Sequence, residues 1–436
     1  MRENIRLATT DKALSAIGGL TFFSTVFDRL IGGYSDLKEL LPQNKISTTC
    51  RADEKLKAMV LGLIAGAENI DDMDRVRMDP AFVEINGGQV NASRTYLDFL
   101  QKFSNYSCKK LNHVLTEAAL NLHKAQAKDS NFILSIDSSS NKQSGQKMEG
   151  LAYNYKNDWG LDTLMAFDQY GFQYWHDVRP GSTFTANGST EVINEVLKRV
   201  PKGKNRYLLA DSGFCNQDVF NAAINQRADF VIACRANMYE RFIPTVKYWK
   251  DAKKIKFYDG RKVEIGQTFY YHEGVQKILR LIIIRAKSVR EREDQTPLFQ
   301  DTHYDYAAFV TTISEHHMKN EAIVELYRGR ANCENFIKDL KHGFDMLHYP
   351  CGKLSANKAY GLMMAFAYNL VRYAGWLLNP IKPFFAKAVR FLLVHIPCQV
   401  VKHGRYITLK MPLERLKEVQ RLNDKIKLSL GYYGSS

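Results

Sequence analysis

The sequence has little that would close it into a disulfide or zinc scaffold. Its seven cysteines, at positions 50, 108, 215, 234, 333, 351 and 398, form no CxxC pair and no CxxC/HxxxH combination. That spacing speaks against both frameworks and fits a reducing compartment. There is no GxxxxGK[ST] loop, so a P-loop NTPase is not expected, and no internal repeat or low-complexity run. The first residues, MRENIRLATTDKALSA, hold no apolar signal core, so secretion is not expected. Long apolar runs are equally scarce. Only AYGLMMAFAYNLVRYAGWLL (359–378) could span a bilayer, and it carries Asn369 and Arg372 well inside. A buried helix is therefore expected, and no membrane partner. Negative charge is the other shortage: 46 Asp and Glu face 61 Lys and Arg, for a net charge of +15. A polyanion is the implied partner, with nucleic acid the first candidate. The imbalance is steepest in residues 341–436, where 15 Lys and Arg meet four acidic residues. That stretch is the main electrostatic suspect, although a basic tail can also serve only solubility.

What is present is enough for a large core. The chain has 436 residues, of which 45% are hydrophobic and 12% aromatic, and its length predicts two or three domains. Up to about residue 128 the pattern is helical, broken at Pro80 and at Gly87-Gly88. Within it SRTYLDFLQKF, with Arg94 and Lys102, reads as a recognition helix or as an ordinary amphipathic one. From 131 onward strands appear in NFILSID and in LDTLMAFDQYGFQYWHDVRPG, the latter as two strands joined near 169–171. Helix and strand then alternate through STEVINEVLKRV, NRYLLAD, QDVFNAAINQ and DFVIAC, which predicts a mixed α/β sheet. Residues 238–305 break that rhythm with short strands rich in Lys, Arg and Tyr, and read as a β-rich insertion. The strand YAAFVTTI restores the pattern, and the remainder reads as helical and basic to the end.

Two apolar strands end on an aspartate, NFILSI before Asp137 and NRYLLA before Asp211. In α/β folds ligand-binding groups sit where a buried strand opens to solvent, although Asp at such a point also serves as a turn or N-cap. A third carboxylate stands in YRGRANCENFIKDLK (327–341). Read as one helix, Tyr327, Arg330, Glu334 and Lys341 lie within an arc of roughly 60°, while Phe336, Ile337, Leu340 and Phe344 form an apolar stripe elsewhere. One reading is a solvated face with Arg330 and Glu334 paired at i, i+4. The other joins Glu334 to Asp137 and Asp211. Three convergent carboxylates repel one another unless a hard cation lies among them, which suits Mg2+ or Mn2+ and phosphoryl transfer. Arg330, Lys338 and Lys341 would then meet DNA phosphates, and Tyr327 a phosphate or a base.

Asp137, Asp211 and Glu334 in this order, with YxxRxxxExxxxxxK matched at Tyr327, Arg330, Glu334 and Lys341, resemble the DDE transposases of bacterial insertion sequences that bear the YREK signature, of the insertion-sequence-4 or insertion-sequence-1380 type. The phrases RPGSTFTANG (179–188), ADSGF (210–214) and YPCGKLSANKAYGLMMAFAYNL (349–370) add to the resemblance, which spans about residues 50–375. It implies an α/β fold with an RNase H-like mixed-sheet catalytic core at 129–350, interrupted by the β-rich insertion at about 238–305. A helical DNA-binding region at 1–128 and a basic helical region at 351–436 would flank it. It also implies Mg2+-dependent nicking of transposon ends, with Mn2+ as substitute, and attack of the freed 3′-hydroxyls on target DNA. The partner is then double-stranded DNA, the protein a homodimer when paired on two ends, and the location the bacterial cytoplasm, on nucleoid DNA. The family often places a Trp in the insertion against a flipped base. Trp249 lies in that interval, and a structural Trp is the alternative. Two other readings stay open: an RNase H-like nuclease without strand transfer, and a catalytically silent DNA-binding derivative.

Overall fold

The computed structural model describes residues 8–34, 36–43, 50–127, 130–143, 145–154, 157–288 and 303–430. The opening residues 1–7, the boundary expected at 128–129, residues 289–302 of the β-rich segment and the last six residues of the basic region lie outside the described residues.

The strands are β1 (Leu14–Ser15), β2 (Asn131–Lys142), β3 (Ala152–Tyr153), β4 (Trp159–Asp168), β5 (Gln173–Pro180), β6 (Asn205–Ala210), β7 (Asp229–Cys234), β8 (Lys250–Lys256), β9 (Lys262–Tyr270), β10 (Leu279–Lys287), β11 (Tyr304–Thr311), β12 (Cys398–His403) and β13 (Tyr406–Lys410). All but β1, β12 and β13 form one 10-stranded sheet in the order β3-β4-β2-β6-β7-β11-β10-β9-β8, with β5 also paired to β4. Strands β2, β6 and β7 run parallel, and the remaining pairs are antiparallel.

Period-two alternation gives this sheet two apolar faces. Phe132, Leu134 and Ile136 of β2, Leu208 of β6, and Phe230 and Ile232 of β7 enter the main core. Their neighbours Tyr207, Leu209 and Val231, with Ile282 and Ile284 of β10, enter a second core on the opposite face. The helices Asn105–Gln126 and Leu354–Leu378 cover the first face at β5. The helix Asn320–Arg328 covers the second, with Ile323 and Val324 buried.

The apolar run at 359–378 lies within Leu354–Leu378, whose residues are buried from Ser355 almost without break to Gly375. Its polar residues hold the β4–β5 turn. The Asn369 side chain accepts from Gln173 N at 2.7 Å and donates to Gln173 O at 2.8 Å, while Arg372 Nε donates to Tyr170 O at 2.9 Å. Buried polar groups are tolerated when paired in this way. Among the described residues no helix is long and apolar enough to cross a membrane.

Two expectations change. The region after 350 is not helical throughout, because β12 and β13 form a hairpin that joins β1 in a 3-stranded sheet. Strands β8–β10 lie within residues 238–305, where short strands were expected. They reach β7 through β11 and so extend the same sheet. The run at 327–341 is not one helix, since Asn320–Arg328 ends before Gly329 and a second helix, Ala331–Gly343, begins after Arg330. Glycine is a poor helix former, and the interruption falls where the sequence carries it.

Candidate active site

The two aspartates meet because of strand register. Parallel pairing of β2 with β6 sets Ile136 opposite Ala210, so the next residues, Asp137 and Asp211, emerge side by side. Ile136 and Ala210 point into the main core, which turns both aspartates toward the opposite face. Asp137 is buried, and its Oδ1 accepts from Ser138 N at 2.9 Å. Asp211 Oδ1 accepts from Gly213 N at 2.9 Å and caps the short turn Ser212–Phe214. The glycine of ADSGF permits this closeness, for a Cβ there would stand 2.9 Å from Thr185 Cγ2 and 3.0 Å from Asp211 Oδ1.

Arg330 lies over the pair. Its Nη2 is 3.0 Å from Asp137 Oδ2 and 3.5 Å from Asp211 Oδ2, and the residue is buried. The pairing of Arg330 with Glu334, one of the two readings of this stretch, does not form; although the backbone from Arg330 to Glu334 is helical, the guanidinium reaches down to the strand ends instead. Burial alone would lower the guanidinium pKa, but Asp137, Tyr327 and Asp211 together raise it. Burial pushes the Asp137 carboxyl up to about 6; Arg330 pulls it back, while Asp211 and then Glu334 add to the rise. Glu334 is thus near enough to act on Asp137 electrostatically, and it is exposed on Ala331–Gly343. Cys333, Phe336, Ile337 and Leu340 dock that helix on the core, as the apolar stripe predicts.

Two clefts open at the site, and Arg330 lines the second. One, of about 730 Å3, is lined by Ser138, Asp162, Thr185, Asp211, Arg235 and Lys341 among others. Lys341 is half-buried there and its Nζ donates to Ser140 O at 3.4 Å. The other, of about 490 Å3, holds Glu334 with Tyr258, Tyr327, Arg328 and Arg330. The wall of the first cleft is built by RPGSTFTANG. Arg179 is buried, its Nε donates to Asp162 Oδ2 at 2.8 Å, and its Nη1 donates to the carbonyls of Thr185 and Asn187. That cation fixes the loop from within.

The fit to a divalent cation can be judged on these residues. The donors are carboxylate oxygens, which suit a hard ion. The position between Asp137 and Asp211 already accepts positive charge, supplied by Arg330. Among the described residues, however, no group of three His, Cys, Asp or Glu side chains stands close enough to hold a metal ion. The aspartate pair therefore fits such an ion, and Glu334 lines the neighbouring cleft together with Arg330 rather than the cleft of Asp211.

The family model for transposase DDE domain group 1 matches residues 1–423. The chain belongs to the DDE transposases. A comparison with curated proteins finds no match. Divalent metal ions and DNA are the usual cofactor and partner in this family.

The remaining sequence candidates are spread out. Tyr327 is half-buried, its ring 4.6 Å from that of Phe309, and burial pushes its hydroxyl well above the usual tyrosine range. Lys338 is exposed on the same helix as Glu334. Trp249 is half-buried, with the Arg285 guanidinium 4.1 Å from its ring centre and Tyr306 on its other contacts at 6.3 Å. Arg94 is exposed on Ser93–Gln101 and pairs with Asp98 at 3.3 Å. Sequence reasoning missed Arg235 and Tyr258. Arg235 directly follows β7, the third parallel strand, so the same strand-end logic that found the aspartates would have found it. Tyr258 is 72% exposed between β8 and β9, and nothing local ties it to Glu334.

Proposed function

We propose that the chain is a DNA transposase that binds the inverted-repeat ends of an insertion sequence, cuts them, and joins the freed 3′-hydroxyls to target DNA. The observation that carries this reading is the in-register pair Asp137 and Asp211, lying under the segment that bears Arg330 and Glu334. The strand order β5-β4-β2-β6-β7, parallel at β2, β6 and β7, supports an RNase H-like core. Strands β8–β10 occupy the interval between Asp211 and Glu334 in which such a core would carry an insertion. In this reading residues 1–128 and 351–436 flank the core as DNA-binding regions, and two copies pair two ends.

Asp137 and Asp211 would hold Mg2+ or Mn2+, with Glu334 joining them only if DNA and metal draw it in from the neighbouring cleft. Bound there, divalent ions would supply activation of the attacking oxygen and stabilisation of the leaving one. The chain's own residues orient the DNA. Lys341 and Arg235 border the cleft beside Asp211 and offer two cations to backbone phosphates. A phosphodiester beside Asp211 would give the Arg330 guanidinium a further anionic partner besides the two aspartates, of the bidentate kind that arginine favours. Lys338, exposed on the same helix, extends the track. Trp249 is engaged by Arg285, so a base-contacting aromatic beside Glu334 is better supplied by exposed Tyr258.

The test is cleavage and gel-shift of one labelled end. The intact protein should bind in Ca2+ and nick only in Mg2+ or Mn2+. Asp137→Ala, Asp211→Ala and Glu334→Gln should keep binding while losing cleavage by orders of magnitude. Metal-free cleavage, or full cleavage by Glu334→Gln, would overturn the mechanism.

A further inference from the structure

The C-terminal excess of positive charge is not evenly available. On the helix Leu413–Ser429, Arg415 pairs with Glu418 at 2.9 Å, Lys417 with Glu414 at 3.9 Å, and Lys427 with Asp424 at 3.2 Å. Much of that helix's charge is answered within it. The hairpin β12–β13, with sequence CQVVKHGRYITLK, has no acidic residue at all.

Register sorts the hairpin into two faces. Val400 pairs with Leu409 and Lys402 with Ile407, while Val401 pairs with Thr408 and His403 with Tyr406. Cys398 and Val400 pack on Ala81, beside Ile85, and Lys402 reaches Glu84 at 2.6 Å, so the first face is seated on the helix Pro80–Ile85. The second face carries His403, Tyr406, Thr408 and Lys410, all exposed, with Tyr406 at 79%. The turn is two residues long. Gly404 has φ +57 and Arg405 does not share a positive φ, as in a type II′ turn, which fits the twist of a tight ribbon and puts Arg405 at its tip. Among the described residues Arg405 and Lys410 make no ion pair.

Beyond its short pairing with β1 at Cys398 and Gln399 the hairpin is a two-stranded ribbon, and such a ribbon buries too little apolar surface by itself to project without a partner. Here the base is anchored and the outer face is not, and that face combines cations, an aromatic ring and hydroxyls with no carboxylate. A two-stranded ribbon is also one of the elements that the major groove of B-DNA admits. We propose that the outer face and tip of β12–β13 are a DNA-binding arm, with Arg405 and Lys410 on backbone phosphates and His403 and Tyr406 turned to the groove. The proposal rests on the transposase reading for its ligand, but assigns part of the DNA contact to a hairpin remote in sequence from the catalytic segment.

The experiment compares the intact chain with Arg405→Glu/Lys410→Glu and with Tyr406→Ala, using a duplex carrying one end sequence. These side chains are exposed, so melting temperatures should match. The double reversal should weaken binding at least roughly tenfold at moderate salt and flatten the slope of log K against log salt by about 2, near 0.9 per phosphate contact. Tyr406→Ala should weaken binding less and leave the slope alone, while Lys410→Arg should bind as the intact chain does. Unchanged affinity and slope in the double reversal, with the intact chain binding and nicking the end, would overturn the arm and leave the transposase reading standing. A change of oligomeric state without loss of DNA affinity would assign the face to a second copy and also overturn it. Failure of the intact chain to bind or nick the end would instead remove the transposase reading, and the arm with it.

Discussion

At the scale of single residues the site is dominated by Arg330, whose guanidinium offsets two carboxylates that strand register forces together. Removing one partner of a buried ion pair costs about 3–5 kcal/mol, because the remaining charge is left uncompensated. Arg330→Gln should therefore destabilise the protein, and the loss should depend on pH. The Asp137 carboxyl is already raised to about 6 by burial. A carboxyl raised on folding favours the folded state fully below its unfolded pKa of about 3.9, and that contribution is lost as pH rises through the folded value. Without Arg330 the folded value rises further, so the variant's deficit should be small near pH 5 and large near pH 8. Thermal melts of the metal-free protein at both values test this; an equal deficit would show that Arg330 acts through packing.

At the scale of elements, the cleft wall depends on close backbone approach. A Cβ at Gly181 would run into the carbonyl oxygens of Gly160 and Ala152, where β3, β4 and the loop after β5 converge. Those are backbone atoms and cannot rotate away. Gly181→Ala should cost at least about 1–3 kcal/mol and displace the loop that Arg179 holds, lowering cleavage more than overall DNA affinity. Melting temperature and single-end cleavage measure the two effects. Elements of this kind were partly legible in the sequence. NFILSI and NRYLLA alternate so clearly that two strands ending on Asp137 and Asp211 could be placed, and the apolar stripe of Phe336, Ile337 and Leu340 gave the docked face of the signature helix. The partners of Arg330 were not legible, since helical spacing offers Glu334, and the two aspartates lie far away in sequence and meet Arg330 only through the fold. The hairpin β12–β13 was missed although Val400, Val401, Tyr406, Ile407 and Thr408 flank Gly404 in a β-like pattern. Its two strands are short, and the basic helical texture on either side concealed them.

At the scale of the molecule, the two chain ends are not independent appendages. β12 lies between β1 and β13, the helix Leu413–Ser429 packs on Leu20–Phe27, and Arg29 Nη1 donates to Leu430 O at 3.1 Å. Arg390 Nε donates to Ile64 O at 3.0 Å, and Tyr373 Oη and Ser429 Oγ are 2.7 Å apart. Val419, Leu422 and Ile426 are buried in the same core as Phe22, Phe23 and Val26. Deleting everything after residue 397 to test for a basic tail would thus uncover apolar surface on the N-terminal helices as well as remove charge. The truncated chain should melt at lower temperature and bind a hydrophobic dye, and its weaker DNA binding would not report electrostatics alone. Charge reversal in the full chain separates the two. Arg415→Glu and Lys417→Glu change exposed side chains already paired at i, i+3, so stability should move by less than about 1 kcal/mol. If the C-terminal helix is a brace rather than a DNA contact, the salt slope of end binding should stay within experimental error in that variant. A slope flattened by about 2 would instead move the DNA contact from the hairpin onto the helix.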